Sequence, residues 1–174
     1  MRALTYWKAV AKDGADFLEE FLAVLDDAGV RYCVIGGQAV NAYAEPLVSL
    51  DLDVAIATDD QERVVALFSG RFRVERFPHS VNISTAGSEL RAQLQTDPRY
   101  EAFVPRATPR EVLGLTLPVA AVDDVLQGKL WAFLDTTRRA TKRQKDLADI
   151  GRLLEAHPEL RPRVPREVLD RLIT

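Results

Sequence analysis

The sequence predicts an α/β (α+β) protein, a sheet flanked by helices and continued by a C-terminal helical tail. Three observations carry this. Short apolar runs of strand period alternate with amphipathic stretches of helical period in the first third of the chain. Strand-like segments then follow one another without intervening helices. After Pro118 the character turns helical and stays so, giving the order α-β-α-β-α-β-β-β and then helices.

Each element has its own signal. "ADFLEEFLAVLDDA" (Ala15 to Ala28) spaces Phe17, Leu18, Phe21, Leu22, Val24 and Leu25 as one helix face, with Gly29 as its C-terminal stop. "RYCVIG" from Arg31 reads as a strand. "GQAVNAYA" from Gly37 reads as a short helix ended at Glu45-Pro46, because the residue before proline avoids helical backbone. "LDLDVAIA" from Leu50 alternates acid and apolar residues as a strand does, and "DDQERVVALFSG" from Asp59 is a helix with an aspartate cap and a closing glycine. "RFRVERF", "SVNIST" and "ELRAQLQT" are strands, and "REVLGLTLPVAA" supplies one or two edge strands around Gly114. "VDDVLQGKLWAFLD" and "KRQKDLADIGRLLEAH" are helices, and "PREVLDRLI" is a last helix with Pro165 in its first turn. The division is a core over 1–121 and a helical extension over 122–174 packed on it, with no linker between them.

The bulk composition narrows the class. A chain of 174 residues, 47% apolar, can build a core without staples. Cys33 is its one cysteine, so no disulfide framework or thiolate zinc site is available, and its apolar setting reads as a buried strand residue. The N-terminus is broken by charges within a dozen residues and does not read as a secretory signal. No stretch reaches the roughly 20 apolar residues of a membrane span, so the expected location is the cytoplasm, with no membrane partner. His79 and His157 lack ligand-spaced neighbours and read as surface residues, and Trp131 and Phe133 read as core.

The chemistry concentrates in "VIGGQAVNAYAEPLVSLDLDVAI" (Val34 to Ile56). Asp51 and Asp53 stand at i and i+2 of a strand, so their carboxylates share a face while Leu52 turns away. Adjacent carboxylates repel unless a cation lies between them, and Mg²⁺ binds through one or two carboxylates plus substrate phosphates. Gly36 and Gly37 end one strand and open a helix, where bare N–H groups and the helix dipole favour an anion. A tight turn and a solvated acid pair would each explain one half. The two together, with thirteen residues between Gly37 and Asp51, read as a cradle for a metal-bound triphosphate.

"IGG" followed by "DLDV" resembles the signature of polymerase-beta-type nucleotidyltransferases. The wider stretch, with "KLWAFLDTTRRATKRQKDLADIGRLL", resembles the branch of small bacterial proteins that includes the AbiEii-type abortive-infection toxins, over about Tyr32 to Leu154. The resemblance implies a mixed sheet flanked by helices. It implies that Gly36 and Gly37 hold an NTP triphosphate and that Asp51 and Asp53 are catalytic ligands of Mg²⁺, in a site with room for two ions. Ser49 takes the place of a small hydroxyl residue before the acids, facing either a phosphate or solvent. The family's third carboxylate should fall on "ELRAQLQTD", where Gln93 or Gln95 stands instead. Asp97 either reaches in from the strand end as the missing catalytic acid or caps the short helix at Pro98.

A basic cluster follows. Lys129, Arg138, Arg139, Lys142, Arg143 and Lys145 fall within seventeen residues opposed only by Asp135, on a chain of net charge −3. It suits nucleotide phosphates or an RNA backbone, with Lys129, Lys145 and Arg138 or Arg139 as ligands. Alternatively it is a solvated helix start with Lys145 paired to Asp149. The expectation is an Mg²⁺-dependent enzyme moving an NMP from an NTP to a hydroxyl of RNA, such as a tRNA 3′ end, or of a protein. The resemblance adds a toxin–antitoxin or phage-defence setting with an antitoxin-like partner. The alternatives are a catalytically silent relative that binds nucleotide or RNA or acts as a regulatory partner, and a plain interaction domain.

Overall fold

A computed structural model describes residues 14–57, 59 and 61–173. The N-terminal reading therefore falls largely outside the described residues, as does Asp60 of the expected cap at 59–60. The elements are helices α1 (Gly14–Asp27), α2 (Gly36–Tyr43), α3 (Gln61–Ser69), α4 (Val122–Leu134), α5 (Ala140–Ala156) and α6 (Arg166–Leu169). The strands are β1 (Tyr32–Ile35), β2 (Asp51–Ile56), β3 (Arg73–Phe77), β4 (Ser80–Ser84), β5 (Arg91–Gln95), β6 (Thr108–Val112) and β7 (Leu115–Val119). The 3₁₀ segments Pro98–Arg106 and Pro158–Arg163 begin at prolines, which lack the N–H that would continue the preceding strand or helix.

All seven strands join one mixed sheet in the order β3-β4-β5-β2-β1-β7-β6. β2 pairs parallel to β5 and β1 parallel to β7, while every other neighbour is antiparallel. Only one of the two strands expected at the edge around Gly114 lies there. β7 is interior, because Val119, fully buried, pairs with Val34 of the equally buried β1. β6 is the edge, with Pro109 removing one ladder donor. The two join through Leu113 and Gly114, at φ 54° and 81°, the left-handed pair that a tight two-residue hairpin needs.

The apolar periodicities become two groups of packed helices. α1 and α3 meet through aromatic rings, with Phe21 and Phe68 stacked at 5.0 Å and Phe17 edge-on to Phe72 at 5.5 Å. α2, α4 and α5 contact one another. Val125, Leu126, Leu130 and Phe133 of α4 and Ile150 and Leu153 of α5 belong to the same buried cluster as the strand residues. The last helix is shorter than its sequence promised, four residues with Pro165 at the N-cap. No described helix is long and apolar enough to cross a membrane.

Candidate active site

The glycine turn and the acid strand are built against each other. β1 runs antiparallel to β2 with Ile35 opposite Asp53, and the chain then enters α2 through Gly36 at φ 66°. A Cβ on Gly36 would lie 2.1 Å from Asp53 Oδ2. Glycine is thus required twice, for a left-handed backbone and for room beside a carboxylate. Gly37 is under no such constraint, its nearest neighbour being Ser49 Oγ at an ordinary 3.5 Å. No side chain caps the start of α2, so its first N–H groups have no side-chain acceptor. Behind them, Gln38 is buried and its Nε2 donates to Ser49 O at 2.9 Å, while Ser49 Oγ donates to Asp51 O at 3.4 Å.

The two aspartates share a face but not an environment. Asp51 Oδ1 accepts from Arg91 Nε at 3.0 Å. Asp53 keeps some accessible surface, yet its carboxyl lies among protein atoms and makes no hydrogen bond or ion pair with another described residue. Burial pushes it up to about 6, Lys129 pulls it back, Asp51 adds to the rise, and Lys145 and Arg138 oppose it.

Asp53 lines a cavity of about 90 Å³ with Gln93, Gln95, Tyr100, Lys129 and Arg138. The register resolves which amide faces Asp53. Gln93 is its direct cross-strand neighbour, and Gln95 stands opposite Ala55. Gln93 Nε2 donates to Asn82 Oδ1 at 3.1 Å, and Gln95 Oε1 accepts from the Thr96 and Asp97 N–H groups at 3.0 and 3.1 Å.

Asp97 sits as the cap of the 3₁₀ segment and does not line this cavity. Its Oδ1 accepts from Arg99 N at 3.0 Å, and Arg99 Nη2 lies 2.7 Å from Oδ2. Those bonds hold its carboxyl below the usual range, the opposite of what a general base near neutrality needs.

The basic cluster divides. Lys129 is buried, with Nζ 3.1 Å from Asp146 Oδ1 and 2.7 Å from Asp149 Oδ2. Burial alone would lower its pKa, but Asp149 and Asp146 more than reverse this and leave it raised. Arg138 Nε reaches Asp146 Oδ2 at 2.8 Å, and Arg152 Nη1 reaches Asp149 Oδ1 at 2.8 Å. The suggested Lys145–Asp149 pair does not form, because Asp149 is turned inward to Lys129 and Arg152. Arg143 Nε donates to Phe133 O at 2.7 Å. Arg139, Lys142 and Lys145 are exposed, and Lys145 is near enough to act on Asp53.

Sequence reasoning gave Asp146 no role and offered Asp149 only as a partner of Lys145; it assigned nothing to Arg152 or Arg91. The i, i+3 spacing of the two acids on α5 was the available signal for the first pair; Arg91 needed the register. Arg152 also holds the loop after α2, since Nη2 donates to Asn41 Oδ1 at 2.8 Å while Asn41 Nδ2 donates to Leu47 O at 2.7 Å.

Among the described residues no three His, Cys, Asp or Glu side chains gather as a metal site. Two carboxylates on one face, one of them unpartnered, beside uncapped amides do fit one divalent ion completed by substrate oxygens.

The mixed seven-stranded sheet, with the acid pair on its central strand β2, shares the fold of solved nucleotidyltransferase structures. The chain resembles the antibiotic-resistance factor ANT(2'')-Ia at TM-score 0.56 and 12% identity, over 87% of this chain and 93% of that one. It resembles the lincosamide antibiotic adenylyltransferase LnuA, bound to lincomycin, at TM-score 0.53 and 11% identity, over 78% and 95%. An antigenic nucleotidyltransferase-like protein from Paracoccidioides brasiliensis aligns at TM-score 0.51 and 17% identity, over 87% and 86%. No protein-family model and no curated protein sequence matches the chain.

Proposed function

We propose that the chain is a Mg²⁺-dependent nucleotidyltransferase that moves an NMP from an NTP to an acceptor hydroxyl. The observation that carries this is the unpartnered Asp53 carboxyl seated on Gly36 beside Asp51. Asp51 and Asp53 would hold Mg²⁺, which when bound supplies charge neutralisation for the triphosphate. The N–H groups of Gly36 and Gly37 receive phosphate oxygens at the start of α2. Lys145, exposed and near enough to act on Asp53, and Arg139, exposed beside Arg138, add attraction for the remaining phosphates. Lys129 and Arg138, tied to Asp146, set the field around Asp53. The acceptor oxygen bonds to the α-phosphorus, the bond to pyrophosphate breaks, and the hydroxyl proton passes to water, since Gln93 and Gln95 offer no base.

The acceptor classes this reading supports are an RNA 3′ end, such as that of tRNA, and a protein side chain. The lincomycin-bound neighbour adds a small-molecule hydroxyl. The motifs shared with the AbiEii-type branch support a toxin–antitoxin or phage-defence role in the cytoplasm, with an antitoxin-like protein restraining the activity. A second reading, a silent protein that binds nucleotide without transferring it, is favoured by Asp97 being held as a cap and by amides at 93 and 95.

Incubating the protein with each α-³²P-labelled NTP, Mg²⁺ and RNA, protein or lincosamide acceptors tests both. Label transferred by the parent and lost in Asp53→Ala supports the enzyme. Mg²⁺-dependent binding without transfer supports the silent reading, and neither binding nor transfer leaves an interaction domain.

A further inference from the structure

The acid pair is asymmetric in a way that sets how many cations the site takes. Asp53 has no partner, whereas Asp51 already has one. Its cross-strand neighbour on β5 is Arg91, whose Nε lies 3.0 Å from Asp51 Oδ1. The next register position places Gln93 opposite Asp53, and Asn82 of β4 lies opposite Gln93. Moving outward from the acids, the sheet face therefore offers a guanidinium and then two amides before the next carboxylate, Glu75 of β3, which lies three strands from Asp53 and is paired with Arg73. Paired catalytic metals sit about 3.5–4 Å apart and share ligands, so a second ion would draw on Asp51 as a bridge. Here the β5 side of Asp51 already holds a positive charge, through the single Nε–Oδ1 hydrogen bond from Arg91.

We propose that the site binds a single divalent ion and that Arg91 takes the place of a second cation. Held by Asp51, its guanidinium supplies positive charge where a nucleotide's phosphates approach. Arg91 is a positioning and charge-supplying residue in this role. The inference rests on the reading of the face as a nucleotide–metal site.

The test counts metal ions. Bound Mn²⁺ per chain is measured by electron paramagnetic resonance with a saturating α,β-methylene NTP analogue. The expected result is one Mn²⁺ for the parent and two for Arg91→Asp, which exchanges the guanidinium for a carboxylate beside Asp51; Arg91→Glu serves if the first variant does not fold. Two ions in the parent overturn the proposal, and so does a folded acidic variant that still binds one. No bound analogue or Mn²⁺ in the parent overturns the nucleotide–metal reading itself, a different outcome from two ions.

Discussion

Asp53 carries opposing demands on one side chain. In the folded chain its carboxyl titrates near 6, against 3.8 for an ordinary aspartate. A group raised on folding contributes stability that is complete below its unfolded pKa and lost as pH rises through its folded one. Asp53→Asn, neutral throughout, is expected to be more stable than the parent by about 3 kcal/mol at pH 7.5. That advantage should vanish near pH 4. Thermal unfolding at both pH values checks it, and an equal difference at each would contradict the assigned environment. Gly36→Ala should cost about 2 kcal/mol or more, from left-handed backbone together with the clash on Asp53. Gly37→Ala, with only an ordinary contact at 3.5 Å, should leave stability within about 0.5 kcal/mol in urea titration. A comparable loss at both positions would mean that the two glycines share one role.

At the scale of elements, α4 and α5 are joined by the buried Lys129, Asp146 and Asp149 with Arg138 and Arg152 at the rim. Lys129→Met should destabilise the chain by about 3 kcal/mol, because two buried carboxylates lose their shared counter-charge while each keeps one arginine. Chemical denaturation reads this directly, and a change near zero would show that the arginines alone satisfy both acids. The strand β2, the helix α2 and the glycine turn were legible in the sequence because their signals are local: alternation, a glycine pair and a proline stop. What β5 presents was not. Whether Gln93 or Gln95 faces Asp53, and that Arg91 meets Asp51, follows from a parallel pairing across forty residues of chain. Nothing in either segment alone states that register. Lys129 reads as an available phosphate ligand in sequence, and becomes a structural cation once α5 brings its acids across.

For the whole molecule, buried residues of the sheet and of the C-terminal helices belong to one cluster, and we propose that 1–121 does not fold without 122–174. A chain cut after Ala121 would expose the strand and helix surfaces that Leu126, Leu130, Phe133, Ile150 and Leu153 now cover. It is expected to lack a cooperative unfolding transition by circular dichroism. A cooperative, soluble fragment would contradict the shared core. The same packing explains why the site spans the chain, with Asp53 from β2, amides from β5, Lys129 from α4, Arg138 from the loop that follows and Asp146 from α5 around one cavity.

The central claim is that the face bearing Asp51 and Asp53 holds a metal-bound nucleotide. Calorimetric titration of an NTP into the parent and into Asp53→Asn, each with Mg²⁺ and with EDTA, tests it most directly. Binding by the parent that requires Mg²⁺ and is lost in Asp53→Asn is the result expected. Binding that survives both EDTA and the substitution, or no binding under any condition, would contradict it.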